Sequence, residues 1–431
     1  MGYIVASILF LYAVSQHYIR KTWVAPDTIF CYGWSVISLS AAMHLFTMYE
    51  ISNKTWCIIL VGTFAFCIGC SFAYHVKIGN TLGLVTTYKR VALISSRTFW
   101  LFVLVIILSC VSDFHQSYTL MKEGVSLGQI REASFGIIEL TGYNYNGGAA
   151  NELLGLIRSA LEITVVAYAI EGFIRDARKG AVKLAAVLVV EVIIAFTFGG
   201  RFALANFCVE LVVCFFFYRH FGNRVAFQLP AKVKRWIRRV LVLMAVFFVA
   251  LTLIRGADKS ELLVKYYRYF CGDIKFFDLH VQELDKSGFE SYGFAALYGL
   301  WNIILPVFNK LGLYYPERYL KTIEIVLDTQ TFRQIGDELF TNAFITPFYH
   351  LYADFRWLGV ILGMFVFGTF CGTLYKKAKN SMQPIYISCY LVVGQLVFMT
   401  LQAYPLVSAT YVLWIVLVLL LLAGKKITIC R

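Results

Sequence analysis

The sequence predicts an all-α fold: a polytopic helical membrane protein with about eleven transmembrane helices, ten to twelve in all. Three observations predict it. Hydrophobic residues make up 59% of the 431-residue chain, charged residues only 15%, and mean hydropathy is +0.70. A soluble domain of that size would lack the polar residues to cover its surface. Apolar stretches alternate with polar breaks along the whole length, and a helix needs roughly 20 apolar residues to cross the hydrocarbon core with every backbone amide satisfied internally. Lysine and arginine collect at every second break, the bias that marks cytoplasmic loops.

The candidate spans lie near 2–18, 28–48, 56–74, 98–112, 153–171, 181–199, 202–218, 240–254, 357–374, 384–401 and 406–423. Inner breaks are marked by Arg20 and Lys21, by Lys77, Lys89, Arg90 and Arg97, and by Arg175, Arg178 and Lys179. The run Lys232–Arg239, the trio Lys376, Lys377 and Lys379, and the pair Lys425 and Lys426 complete the set. This alternation puts the N-terminus outside and the C-terminus inside without a violation. The first stretch has no basic leader and is predicted to remain as a span rather than act as a cleaved signal. Phe294–Leu311 is apolar but interrupted by Asn302 and Pro306, and as a further span it would place Lys376 and Lys377 outside. An interfacial helix or half-buried hairpin is predicted there.

The chain is predicted to be one integral membrane domain, 1–431, with two long outward loops at 113–152 and 255–356. Other outward loops are short, so any sizeable external site must be built from these two and from helix ends. The net charge of +14 follows mainly from the inner basic breaks. No nucleic-acid partner is therefore predicted; the partner is the lipid bilayer, whose anionic lipids suit a polybasic inner loop. Of the eleven cysteines only Cys271 falls clearly in an external loop, so no disulfide framework is implied, and Cys67 and Cys70 are small packing residues inside a span. No HExxH, acidic pair or Cys/His cluster with ligand spacing occurs, so neither a metal nor a cofactor is predicted.

Arg158, Glu162, Glu191, Arg201 and Glu210 lie within or close to spans, where an ionisable group is costly enough to mark function by default. Arg158 and Glu162 are four apart on one helix face and can neutralise each other. Glu210 lies mid-span and is predicted to face the bundle interior. The clearest constellation is Thr197–Arg201. Gly199 and Gly200 permit a tight outward turn that places Arg201 at the outer face at the start of the next helix. There a guanidinium beside a helix N-terminus suits a phosphate held at headgroup depth. In the first outward loop, Arg131 precedes Gly142 by eleven residues within REASFGIIELTGYNYNGG.

Together with the stretch TNAFITPFYHLYADFRWLG from Thr341 to Gly359, these features resemble the Wzy-type O-antigen polymerases, the oligosaccharide repeat-unit polymerases of Gram-negative inner membranes. The resemblance covers the whole chain in architecture and is carried locally by the Arg131 to Gly142 spacing, the Gly199–Arg201 turn and the Thr341–Gly359 segment. It implies a GT-C-like helical bundle whose two periplasmic loops fold over a lipid-facing cavity, in the bacterial inner membrane, with the active site on the periplasmic side. It also implies transfer of a growing glycan from undecaprenyl pyrophosphate onto a new undecaprenyl-pyrophosphate-linked oligosaccharide, with a chain-length-regulating co-polymerase as partner. The chain departs from the family's paired motif. Arg255, Arg268, Arg318, Arg333 and Arg356 are followed eleven residues on by Tyr266, Leu279, Thr329, Phe344 and Phe367, not glycine.

Such a reaction needs cations for the departing pyrophosphate and a base for the acceptor hydroxyl. Arg131, Arg201 and Arg255 are the candidates for the first task through bidentate, charge-assisted contacts. Asp354 and His350, four apart and just above the ninth span, are the catalytic candidates for the second, with Asp337 and Glu338 behind them. The alternatives are an interfacial histidine at 350 and, for Asp354, an ion pair with Arg356 or a cap. An O-antigen ligase would share donor and architecture. A lipid-linked oligosaccharide flippase would more often show short loops and repeated halves, which this chain lacks.

Overall fold

The computed structural model describes residues 1–76, 91–134, 148–200, 202–222, 230–254, 262–342, 344–401 and 403–423. They form α1 (Gly2–Arg20), α2 (Pro26–Ala42), α3 (Asn53–His75), α4 (Ser96–Lys122), α5 (Leu127–Ser134), α6 (Gly148–Arg175), α7 (Ala177–Thr197) and α8 (Phe202–Phe221). There follow α9 (Ala231–Ile254), α10 (Leu262–Ser287), α11 (Tyr298–Lys310), α12 (Glu317–Asp328), the hairpin β1 (Arg333–Gln334) and β2 (Phe340–Thr341), then α13 (Pro347–Ser381), α14 (Pro384–Met399) and α15 (Ala409–Ala423). The protein is thus an all-α membrane protein. Among the described residues α1, α3, α4, α6, α7, α8 and α13 are long and apolar enough to cross a membrane, and α14 and α15 are apolar but shorter.

Each predicted apolar stretch coincides with a helix, and the departures have local causes. The stretch 28–48 ends early because His44 and Phe46 adopt left-handed backbone angles, φ 47° and 56°, that stop α2 at Ala42. Conversely, α4 runs ten residues past its predicted end: Asp113, His115 and Gln116 break the apolar pattern without breaking the helix. The segment at Phe294–Leu311 contains α11, whose 13 residues span only about 20 Å and fall short of a bilayer. Helices start where short polar side chains accept from the first turn: Ser52 from Thr55 N at α3 and Ser95 from Thr98 N at α4.

The helices gather into two compact units that no break in composition announces. The first comprises Met1–Asn80, Leu262–Lys377 and Leu396–Val412; the second comprises Thr81–Glu261, Ala378–Gln395 and Leu413–Arg431.

In the first unit, the α1–α2 turn is closed by Arg20, which donates to both oxygens of the buried Asp27 at 2.7 and 2.6 Å and lies 4.4 Å above the Tyr74 ring. Helices α3 and α13 cross at backbone contact: a Cβ built on Gly368 would lie 2.1 Å from the Phe66 carbonyl oxygen, and one on Gly69 would lie 2.1 Å from that of Phe365. Lys376 then donates to the carbonyls of Ala73 and Val76 at the end of α3, at 3.3 and 2.6 Å. In the segment after α9, α10 docks on the start of α3 through Asp278. This carboxylate accepts from Ser52 Oγ at 2.5 Å, Thr55 Oγ1 at 2.7 Å and Lys275 Nζ at 2.8 Å. Burial works to raise the Asp278 carboxyl, but those bonds outweigh it and hold the group below the ordinary carboxylate range.

The second unit is built on α4, α6, α7 and α8. Ser117 of α4 donates to the Thr197 carbonyl at 2.7 Å, tying the C-terminal part of α4 to the last turn of α7. Asp176 accepts from Lys179 N and starts α7 directly after α6 ends.

Candidate functional site

In the second unit the two arginine-bearing features of the sequence meet. Gly199, the first glycine of the α7–α8 turn, has φ +57°, a left-handed conformation that favours glycine. The short helix α5 lies directly on it: a Cβ at Gly199 would approach the Leu127 carbonyl oxygen to 2.4 Å and the Arg131 Cβ to 3.2 Å. Glycine at 199 is therefore required twice, by backbone angle and by the approach of α5. Gly200 faces open space. Arg131, half-buried on α5, thus stands beside the turn that leads into Arg201. Arg201 itself, Gly142 and Arg255 lie outside the described residues.

A further guanidinium joins the turn from α6. Arg158 stacks 4.4 Å from the Phe198 ring centroid and donates from Nη1 to Asp113 Oδ2 at 3.2 Å. Arg158, which also acts electrostatically on Glu162 one turn along α6, thus gains a second carboxylate, because the extended α4 carries Asp113 to it. Sequence spacing offered no signal for it, since the partner is 45 residues away. Deeper in the same helices lie Glu162, Glu191 and Glu210, from α6, α7 and α8, within electrostatic reach of one another.

In the first unit, His350 and Asp354 do share one helical face, but both are interior groups. Asp354 is 2% exposed and its carboxylate accepts from Ser291 Oγ at 2.5 Å, Ala295 N at 3.0 Å and Ala296 N at 2.9 Å. It caps the turn that leads into α11, and its burial closes it to an incoming hydroxyl. The catalytic expectation for Asp354 gives way to the capping alternative. His350 is 3% exposed, with Nδ1 lacking a partner among the described residues, and is equally closed to a sugar. Nor does Arg356 pair with Asp354: it donates from Nη2 to the carbonyls of Leu284 and Phe289, both at 2.9 Å, and lies 3.7 Å from Glu290. Phe355 and Arg356 carry non-helical angles, φ −144° and +49°, and so break α13 into a short first helix and a longer apolar one.

Beside His350 lies a cluster that the sequence did not announce. His280 Nδ1 is 3.5 Å from Asp328 Oδ2 and 3.6 Å from Glu283 Oε2, and the three side chains offer ligand atoms within 4.8 Å of one another. Arg333 occupies the same ground, donating from Nη2 to both Asp328 oxygens at 2.9 Å and lying 3.4 Å from Glu283. The positive charge that a metal would bring to these carboxylates is supplied by the arginine. The only local signal was the i, i+3 spacing of His280 and Glu283; Asp328 and Arg333 arrive through the fold.

Burial pushes the His280 imidazole down to about 4, against the pull of Asp328 and helped by Arg333. An unfolded histidine titrates near 6.5. Between these values the unfolded chain takes up a proton that the folded chain refuses, so this contribution to stability is complete above about pH 6.5 and lost as pH falls toward about 4. Unfolding of the detergent-solubilised protein is expected to become easier over that window by about 3 kcal/mol from this group. In His280→Gln the pH slope flattens, as thermal melts at stepped pH will show.

No protein-family model, curated protein or solved structure matches this chain.

Proposed function

We propose that this chain is a membrane glycosyltransferase that polymerises undecaprenyl-pyrophosphate-linked oligosaccharide repeat units into O-antigen or a related surface polysaccharide. It works in the bacterial inner membrane with eleven spans, its N-terminus outside, and its site on the periplasmic side. What supports this is the packing of Arg131 on Gly199, which joins the two motifs that carry the family resemblance.

In the transfer, the bond between the donor's anomeric carbon and pyrophosphate breaks, a new bond to the acceptor oxygen forms, and the acceptor hydroxyl proton passes through water to the departing diphosphate or to bulk solvent. The diphosphate carries the negative charge that develops. Arg131 and Arg201 are assigned to hold it, since fixed guanidinium donors in a site of low dielectric act most strongly on charge that appears in the transition state. Arg158, already engaged by Asp113 and Phe198, is assigned to position the turn rather than touch substrate.

The test is a strain that lacks this chain, with its lipopolysaccharide resolved on a gel. Single repeats on the core with no ladder are expected. Core with no repeat at all would instead mark a ligase, and an unchanged ladder would remove the chain from polysaccharide assembly.

A further inference from the structure

We propose that Glu162, Glu191 and Glu210 form an intramembrane proton-binding site, built from three adjacent helices, in which Glu191 and Glu210 are held as neutral carboxylic acids. Each residue lies within a helix long and apolar enough to cross the bilayer. Glu191 and Glu210 are each 1% exposed. Neither oxygen of Glu191 and not Oε2 of Glu210 has a hydrogen-bond partner among the described residues. A buried carboxylate with both oxygens unsatisfied is among the costliest arrangements a membrane interior offers, at several kcal/mol per ion even after relaxation. Something must take up that charge.

Among the described residues, Arg158 is the one cation whose charge is seen to act on the three. On α6, Arg158 is the guanidinium that Glu162 feels, and it is engaged by Asp113 from α4 and by the Phe198 ring. The other titratable groups facing the three are thiols: Cys110 on α4 toward Glu162, Cys208 on α8 toward Glu191, and Cys214 on α8 toward Glu210, with Glu171 of α6 beside Cys214. Three carboxylates against one arginine already paired with a fourth would leave a net negative charge in hydrocarbon. A metal ion would require the three to converge, whereas among the described residues the one group of acids and histidines that converges to ligand distance is His280, Glu283 and Asp328. The ligand that fits dispersed, unpartnered, buried carboxyls is therefore the proton. Glu162, one helical turn from Arg158, is the member able to ionise; Glu191 and Glu210 store the protons. The inference is independent of the transferase proposal, since it concerns only what these side chains bind.

The primary measurement is infrared spectroscopy of the full-length protein in lipid vesicles at neutral pH, as the difference between wild type and Glu191→Gln and between wild type and Glu210→Gln. A carbonyl band of protonated carboxylic acid, lost in each variant, is expected. Glutamine is the neutral isostere of the protonated acid, so both variants are expected to be produced at wild-type level. Absence of the band overturns the proposal. The second measurement uses dicyclohexylcarbodiimide, which reacts only with a protonated carboxyl: the carboxyl oxygen bonds to the central carbon, its proton passes to a nitrogen, and the acyl group then migrates to give a stable adduct with no group lost. An adduct on Glu191 or Glu210 whose yield rises as pH falls and ignores sodium supports the proposal. Suppression of the adduct by sodium at constant pH would show a cation site and overturn it, while a band without an adduct supports proton storage in a pocket closed to lipid.

Discussion

Leucine at Gly69 or Gly368 is expected to prevent the first unit from assembling. Helices in a bilayer gain no hydrophobic free energy by leaving lipid for each other, so their association depends on close backbone approach through small residues and on hydrogen bonds between them. That approach is extreme here. A Cβ at Gly69 would stand 2.1 Å from the Phe365 carbonyl oxygen and 2.9 Å from the Thr369 nitrogen, and one at Gly368 would stand 2.1 Å from the Phe66 oxygen. The obstacle is backbone on both sides, with no flexible side chain to move aside. Thr369 Oγ1 also donates to the Gly69 carbonyl at 3.3 Å, a bond lost once the helices part. Even alanine must force the crossing open, and leucine is expected to cost more than about 3 kcal/mol. The damage reaches α10, because α13 carries Tyr352, whose hydroxyl donates to Asp285 of α10 at 2.8 Å, and Asp285 also pairs with Lys54 at the start of α3. Size-exclusion profiles and thermal melts in detergent check this. Gly172 is the control: a Cβ there meets nothing, so alanine should be neutral or stabilise α6 by up to about 1 kcal/mol. A monodisperse Gly368→Leu protein with an unchanged Tm would show that the two helices do not cross as described.

Arg131→Ala is expected to remove long polysaccharide chains while leaving the protein at its normal level in the membrane. Alanine keeps the Cβ that packs at Gly199, so the seating of α5 on the turn survives and the guanidinium is what disappears. Loss of one fixed donor to a developing anion typically lowers the rate by about 100-fold or more. Arg131→Lys keeps the charge without the planar fork and should fall between the two. Arg201→Ala should match Arg131→Ala. Gly199→Ala separates position from charge: it leaves both arginines present but sets a methyl 2.4 Å from the Leu127 carbonyl in a backbone conformation strained for alanine, so activity should fall although the cations remain.

The helices were legible because hydrophobic length is a property of single segments: each apolar stretch coincides with a helix, and the stretch interrupted by Asn302 and Pro306 holds the short α11. The helices within 262–342 were not legible. α10 reads as a polar loop because Asp273, Lys275, Asp278 and Asp285 punctuate it, and the bonds that Asp278 and Asp285 make to Ser52, Thr55 and Lys54 come from residues more than 200 positions away. The same limit governed the sites. The Gly199 turn was readable from its glycines, and Arg131 from its loop, but that one packs on the other is a tertiary fact. Asp354 looked catalytic because a carboxylate above a span is conspicuous; its commitment to Ser291, Ala295 and Ala296 depends on a turn that no local pattern encodes.

The most direct test is turnover by the purified protein in vesicles supplied with a lipid-linked repeat unit on undecaprenyl pyrophosphate, read as glycan ladder length and as lipid pyrophosphate released per bond. A ladder from the wild type, with one lipid pyrophosphate released for each linkage, and its loss in folded Arg131→Ala and Arg201→Ala proteins, is predicted. No extension by folded wild type, or an undiminished ladder from both arginine variants, would contradict the assignment of this rim to diphosphate.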